Sequence, residues 1–179
     1  MGHYSKQIEE HYATEEETFG KPHTVGAPSG YVQEQLHLYR PLKESDGKAE
    51  DARYCFLADI ADVVNPQYSG LGDSLSILVR AVEHNDKSEA LKYTSDVIRE
   101  LRSDTLMNDL IGVRAQALNS GKYTFESYRE PIDVNLLLDA AARHFLKILF
   151  VGDLDEESGF PHTAHIAANI IMIHTQLNK

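Results

Sequence analysis

The sequence predicts an all-α protein: a helical bundle of about six helices, preceded by an extended, poorly regular N-terminal arm. Three observations carry that expectation. From position 51 onward, apolar residues recur at helical spacing in successive segments of 11 to 20 residues. No stretch alternates apolar and polar residues for more than a few positions, as a half-buried strand would. Proline, asparagine and glycine punctuate the segments where helices start and stop.

Residues 1–50 form the arm. They hold Pro22, Pro28 and Pro41, several glycines, the acidic run Glu15-Glu16-Glu17, and sparse, aperiodic apolar residues. Such composition buries too little surface to offset the ordering of the chain. One short helix is expected around 5–18. His3, His11, His23 and His37 lack ligand-like spacing. Residues 51–179 form the domain.

The first helix is read over 54–64, with Phe56, Leu57, Ile60 and Val64 on one face, and Asn65-Pro66 stops it. The second, 71–84, repeats the pattern with Leu71, Leu75, Leu78 and Val82. A turn at Asn85 leads to a third over 88–102, where Asp86 and Glu89 have capping-box spacing. A fourth starts after Asp104 and ends near Ser120-Gly121, with glycine where a helix C-terminus favours it. Residues 122–131 are a loop. The fifth helix (133–152) and the sixth (161–177) flank an acidic turn, and Pro161 suits a first helical turn.

Composition bounds the function. Hydrophobic residues at 42% and charged residues at 25% suit a globular domain of 179 residues. Tryptophan is absent, so the core must be mainly aliphatic. A formal charge of −11 argues against a nucleic-acid polymer or an anionic membrane as partner, while leaving room for a local basic pocket. Cys55 is the only cysteine, which excludes an internal disulfide and suits a reducing compartment. No apolar run reaches the roughly 20 residues of a membrane span. The N-terminus lacks signal-peptide character, so the expected location is cytoplasmic.

Candidate chemistry concentrates between Asp133 and Leu177. His162, His165 and Asn169 fall on one stripe of the last helix, beside the apolar stripe Ile166, Ile170, Ile173 and Leu177. Two imidazoles one turn apart can share a metal ion or clamp a phosphate; they can also be a hydrogen-bonded pair lining a helix interface. His144 lies on the core face with Leu137, Ala141 and Ile148. Asp139, Arg143 and Lys147 make an adjacent stripe, either a solvated ion-pair ladder or a cationic strip for phosphate oxygens. Between the helices, Asp153, Asp155, Glu156 and Glu157 are four carboxylates in five residues. They suit a divalent ion held through oxygen or a solvated turn that favours the helix dipole. Asp59 with Asp62, and Asp96 with Glu100, read as ordinary exposed helix faces. His84 and His174 read as structural or surface residues.

An ordered set of motifs runs through the C-terminal third: Lys122-Tyr123, Tyr128-Arg129, Arg143-His144, Gly152-Asp153, Asp155-Glu156-Glu157-Ser158-Gly159, then His162, His165 and Asn169. Over about 119–173 this resembles a bacteriophage family, the dATP/dGTP diphosphohydrolase N-terminal domain. The sequence departs from the family pattern in two places. Ser127-Tyr128 stands where an Asn-Trp pair is usual, and Asp153 stands where Glu is usual. The resemblance implies phage origin and nucleotide handling, with a purine deoxynucleoside triphosphate cleaved by metal-activated water to release pyrophosphate.

On that reading His144, Asp155 and Glu157 are the catalytic candidates. His162, His165 and Asp155 hold a divalent metal, Mg²⁺ or Mn²⁺. Lys122, Tyr123, Arg129, Arg143 and Asn169 contact the nucleotide and its phosphates. A homo-oligomer is expected, because an acidic arm and a small helical core both gain from a partner surface. A different class of function uses the same pocket to bind and sequester a nucleotide without turnover, for instance a host defence signal. A third is a scaffold in which the arm mediates assembly.

Overall fold

A computed structural model describes residues 52–179; the arm expected over 1–50 lies outside them. The described residues form six α-helices, with no strand among them. The helices are α1 (Leu57–Val64), α2 (Ser69–Glu83), α3 (Lys87–Leu101), α4 (Leu106–Asn119), α5 (Val134–Phe150) and α6 (His162–Leu177). Short 3-10 turns at Ala52–Tyr54, Pro66–Tyr68 and Ser127–Arg129 lie between or before them. No described helix is long and apolar enough to cross a membrane.

The local chemistry explains the boundaries. Asp86 accepts a hydrogen bond from the Glu89 amide at 3.0 Å and caps α3, half of the expected capping box. Asp133 caps α5 through the Asn135 amide at 2.9 Å. Asn65 ends α1, and its side chain accepts from the Gln67 amide. Gly121 follows α4 with φ +74°. Two starts differ from expectation. Residues 52–54 form a separate 3-10 turn, so α1 begins at Leu57. Pro161 is the N-cap of α6, one position before the first helical turn assigned to it.

The most extensive packing is between α5 and α6, and α6 also contacts α3 and α4. The core is aliphatic apart from Phe145 and Phe150, as the composition requires. Ile166, Ile170 and Ile173 are fully buried from one face of α6. Phe145 on α5 is fully buried, and its ring tip would meet a Cβ placed at Gly72 on α2 at 3.2 Å. Truncating a ring so enclosed costs about 3–5 kcal/mol. Arg53, half-buried in the first 3-10 turn, donates to the buried Asp139 on α5 at 2.7 Å. With this pair and the α6 contacts, α5 is held on both sides.

Candidate metal and phosphate site

Three imidazoles meet where the C-terminal half of α5 passes the first turn of α6. The His144 and His162 Nδ1 atoms are 2.9 Å apart. The His144 and His165 rings stack, with centroids 4.5 Å apart and planes within 8°. His144 is therefore no isolated core histidine. His162 is fully buried, while the His165 side chain keeps 17% of its surface exposed.

The acidic loop brings a carboxylate to them. Its ends are pinned by backbone hydrogen bonds from Asp155 to the Phe160 carbonyl (2.8 Å) and from His162 to the Asp153 carbonyl (2.8 Å). Gly159, at φ +75°, lets the loop turn back so that its amide reaches the Asp155 carbonyl at 2.7 Å. Asp155 is thereby buried, and its side chain accepts from the Ser158 amide at 2.9 Å. Its oxygens lie 4.0 Å from His162 Nδ1, 3.7 Å from His165 Nε2 and 3.9 Å from Lys147 Nζ. Ser158 Oγ is 2.7 Å from His165 Nε2 and accepts from the Phe160 amide.

The loop has a second anchor. Phe160 packs against α4 at Gly112, where a Cβ would fall 2.2 Å from the ring. Only a residue without a side chain permits that approach.

Burial sets the protonation states. It pushes His144 down to about 2, and the neighbouring His165 and His162 push the same way. It pushes His162 down to about 4, with Asp155 only partly opposing it. Burial alone raises the Asp155 carboxyl. The Ser158 side-chain and backbone hydrogen bonds, with His144 and His165 beside it, outweigh that and hold it below its ordinary value. At neutral pH, His144 and His162 are thus neutral and Asp155 is ionised.

This donor set fits a metal ion. His144, Asp155 and His162 each present a ligand atom, all within 4.8 Å of one another. An ion with bonds of about 2.1 Å spaces its ligand atoms about 3–4 Å apart, so a small inward movement of the carboxylate completes the set. His162 Nε2 is buried and has no hydrogen-bond partner among the described residues.

The structure brings some of the sequence-predicted site residues together and sets others apart. His162 and Asp155 lie together with His144. His165 was grouped with them as a ligand, but its Nε2 faces Ser158, and it is His144 whose Nδ1 converges with that of His162. Glu157 is exposed on the outer part of the loop. Asn169 is half-buried and donates to the His165 carbonyl at 2.9 Å, one turn back on α6. Arg143 is buried on α5, and Asp139 is committed to Arg53, so the stripe they share with Lys147 is no solvated ladder.

Lys122, Tyr123 and Arg129 stand apart. All three are exposed. The part of their loop around Arg129 docks on the far end of α6, where the Gln176 amide donates to the Tyr128 and Glu130 carbonyls and Lys179 donates to that of Arg129; nearer Lys122 and Tyr123, Arg114 on α4 donates to the Thr124 and Phe125 carbonyls. Gln176 is eleven residues beyond His165, about 16 Å along the helix. Arg129 itself engages Glu126 at 3.1 Å and the Tyr128 hydroxyl at 2.8 Å.

Sequence reasoning gave no separate role to Ser158 or Gly112, and Lys147 only a place in the stripe. Asp155 and Ser158 have the spacing of a side-chain-closed turn. Lys147 follows His144 by three residues, one turn along α5. A lone glycine inside the α4 pattern was the available sign of a close approach.

The profile of the dATP/dGTP diphosphohydrolase N-terminal family matches residues 86–179, just over half of the chain. The chain belongs to that family. The match spans α3 to α6 and so contains every residue of the cluster described above. Comparison with curated proteins and comparison with solved structures each returned no match. A nucleotide-processing family is consistent with a nucleotide ligand.

Proposed function

We propose that this chain is a metal-dependent hydrolase of phage origin that cleaves a purine deoxynucleoside triphosphate to the monophosphate and pyrophosphate. The observation that carries the reading is the convergence of half-buried His144 with buried Asp155 and His162 inside the family-matched segment. A divalent ion held there, Mg²⁺ or Mn²⁺ in the first instance, supplies charge neutralisation for the polyphosphate and a lowered pKa for water.

The chain's own residues supply the rest. Asp155 and the neutral imidazoles of His144 and His162 hold the ion. Lys147, half-buried beside Asp155, offers its ammonium to a phosphate oxygen. His165, half-buried and joined to Ser158, takes the proton from the attacking water. Glu157 at the loop's outer edge serves as an alternative base or outer-shell group. Asn169 braces His165 from within α6, and Arg143, buried on α5 directly before His144, offers positive charge beside the cluster. Lys122, Tyr123 and Arg129 engage the base and distal phosphates only if the nucleotide extends along α6 or a second copy lends its loop. Self-association is part of the reading, because α4 leaves Met107 and Ile111, one turn apart, exposed.

The test is incubation of purified protein with each of the four dNTPs in Mg²⁺ or Mn²⁺, with chromatography of the nucleotides. Release of dAMP or dGMP with equimolar pyrophosphate is expected. No product from any nucleotide at stoichiometric protein overturns the proposal.

A second reading, sequestration without turnover, is favoured by one observation: only one of the loop's four carboxylates is buried with the imidazoles. It predicts an intact nucleotide released on denaturing freshly purified protein, identified by mass spectrometry.

A further inference from the structure

We propose that the His144–Asp155–His162 cluster is selective for a first-row transition ion of the Mn²⁺ to Zn²⁺ series and discriminates against Mg²⁺. The inference rests on the reading that the cluster holds an ion, and it narrows which ion that is.

Mg²⁺ is a hard cation that keeps near-ideal octahedral geometry with oxygen ligands and gives up its water reluctantly. Here two of the three converging protein donors are imidazole nitrogens, 2.9 Å apart at Nδ1. The remaining donor is a single carboxylate. The other acidic side chains of the loop, Asp153, Glu156 and Glu157, are all exposed. Imidazole suits borderline ions, and for a nitrogen-and-oxygen set the affinity climbs through the first-row series. The 2.9 Å contact is a hydrogen bond between the two rings; once an ion replaces the shared proton, both nitrogens are already near the roughly 3 Å spacing of neighbouring ligands around one ion.

Two features of the surroundings sharpen the donor assignment. His165 has its Nε2 on Ser158 Oγ at 2.7 Å and stacks on His144, so it buttresses a ligand and is outside the donor set. Lys147 lies 3.9 Å from the same Asp155 oxygen that faces His162, so an entering ion displaces a weak ion pair and takes over its carboxylate.

The experiment measures metal binding without nucleotide, so its outcome is separate from whether the protein hydrolyses anything. The full chain is stripped with chelator and titrated with Co²⁺, followed by visible absorption and calorimetry, then challenged with Mg²⁺. The expected result is one equivalent of Co²⁺, retained in the presence of a hundredfold or greater excess of Mg²⁺, with Zn²⁺ displacing it. His162→Ala and Asp155→Asn abolish the absorption band or weaken binding at least tenfold, and His165→Ala keeps it. Asp155→Asn preserves side-chain shape, which covers the case in which His162→Ala fails to fold. Displacement of Co²⁺ by equimolar Mg²⁺, or no stoichiometric Co²⁺ binding, overturns the proposal. Loss of the band in His165→Ala with retention in His162→Ala overturns the donor assignment.

Discussion

Lowering the pH of the metal-free protein from 7 to 5 removes several kcal/mol of stability through His144 and His162. Both rings are held neutral in the fold, pushed down to about 2 and about 4. In the unfolded chain they titrate near 6.5. Below that value the unfolded state binds protons that the folded state refuses, so stability falls as the pH falls. The contribution is fully present above about pH 6.5 and is lost progressively toward pH 4 for His162, and further still for His144. Between pH 7 and 5 the linkage relation gives about 2 kcal/mol for each ring. Allowing for the partial exposure of His144 and for the hydrogen bond the rings share, the pair contributes about 3 kcal/mol. Urea denaturation in chelator at pH 7, 6 and 5 measures this. Comparison with His162→Asn isolates the buried ring from general acid effects: the variant should lose about half of the pH slope. A wild-type stability that stays level between pH 7 and 5, or a slope unchanged in His162→Asn, refutes the buried neutral pair.

Three further outcomes follow from the same contacts. Gly112→Ala places a methyl 2.2 Å from Phe160; it should destabilise by about 1–3 kcal/mol and weaken Co²⁺ binding, and Phe160→Ala in the same chain should recover part of the loss, read by thermal melts and calorimetry. Arg53→Met strips the half-buried partner from Asp139 and should cost about 3–5 kcal/mol, visible as a lower urea midpoint with metal binding preserved in the folded fraction. Lys147→Met should tighten Co²⁺ binding several-fold by removing a competing charge at Asp155, while weakening nucleotide retention, both measured by titration.

Much of the fold was legible because periodicity reports which face of a helix is buried. Of the stripe Ile166, Ile170, Ile173 and Leu177, the three isoleucines are wholly inside and Leu177, at the helix end, is half-buried, and Asp86 caps α3 as its position suggested. The same signal is silent about what a face meets. Nothing local in the sequence joins Asp139 to Arg53, 86 residues away, or Gly112 to Phe160. The convergence of His144 with His162 was only half visible. Each lay on a buried-facing stripe, but which imidazole became the neighbour of His162 was decided by the crossing of α5 and α6 and by Ser158 engaging His165. The loop residues Lys122, Tyr123 and Arg129 show the opposite case. Their order along the chain suggested a common site, yet Gln176 fixes the part of the loop around Arg129 at the other end of α6, and Arg114 on α4 holds the part that follows Tyr123.

Charge balance explains why such a cluster persists in the interior. With the His144 and His162 imidazoles neutral, the closest ionised pair in the cluster is Asp155 with Lys147, and these two charges cancel, while Glu156 adds negative charge from the exposed side of the loop. A bare divalent ion would leave the cluster with two positive charges to spare. A polyphosphate supplies compensating negative charge, and Lys147, released from Asp155, is positioned to share it. On the proposed reading, ion and nucleotide therefore strengthen each other's binding, and linkage makes the effect equal in both directions. A merely structural histidine pair has no such coupling. Here the two Nδ1 atoms already satisfy one another through their 2.9 Å hydrogen bond, and only the buried His162 Nε2 lacks a partner among the described residues, so the coupling itself is the measurement that separates the two roles.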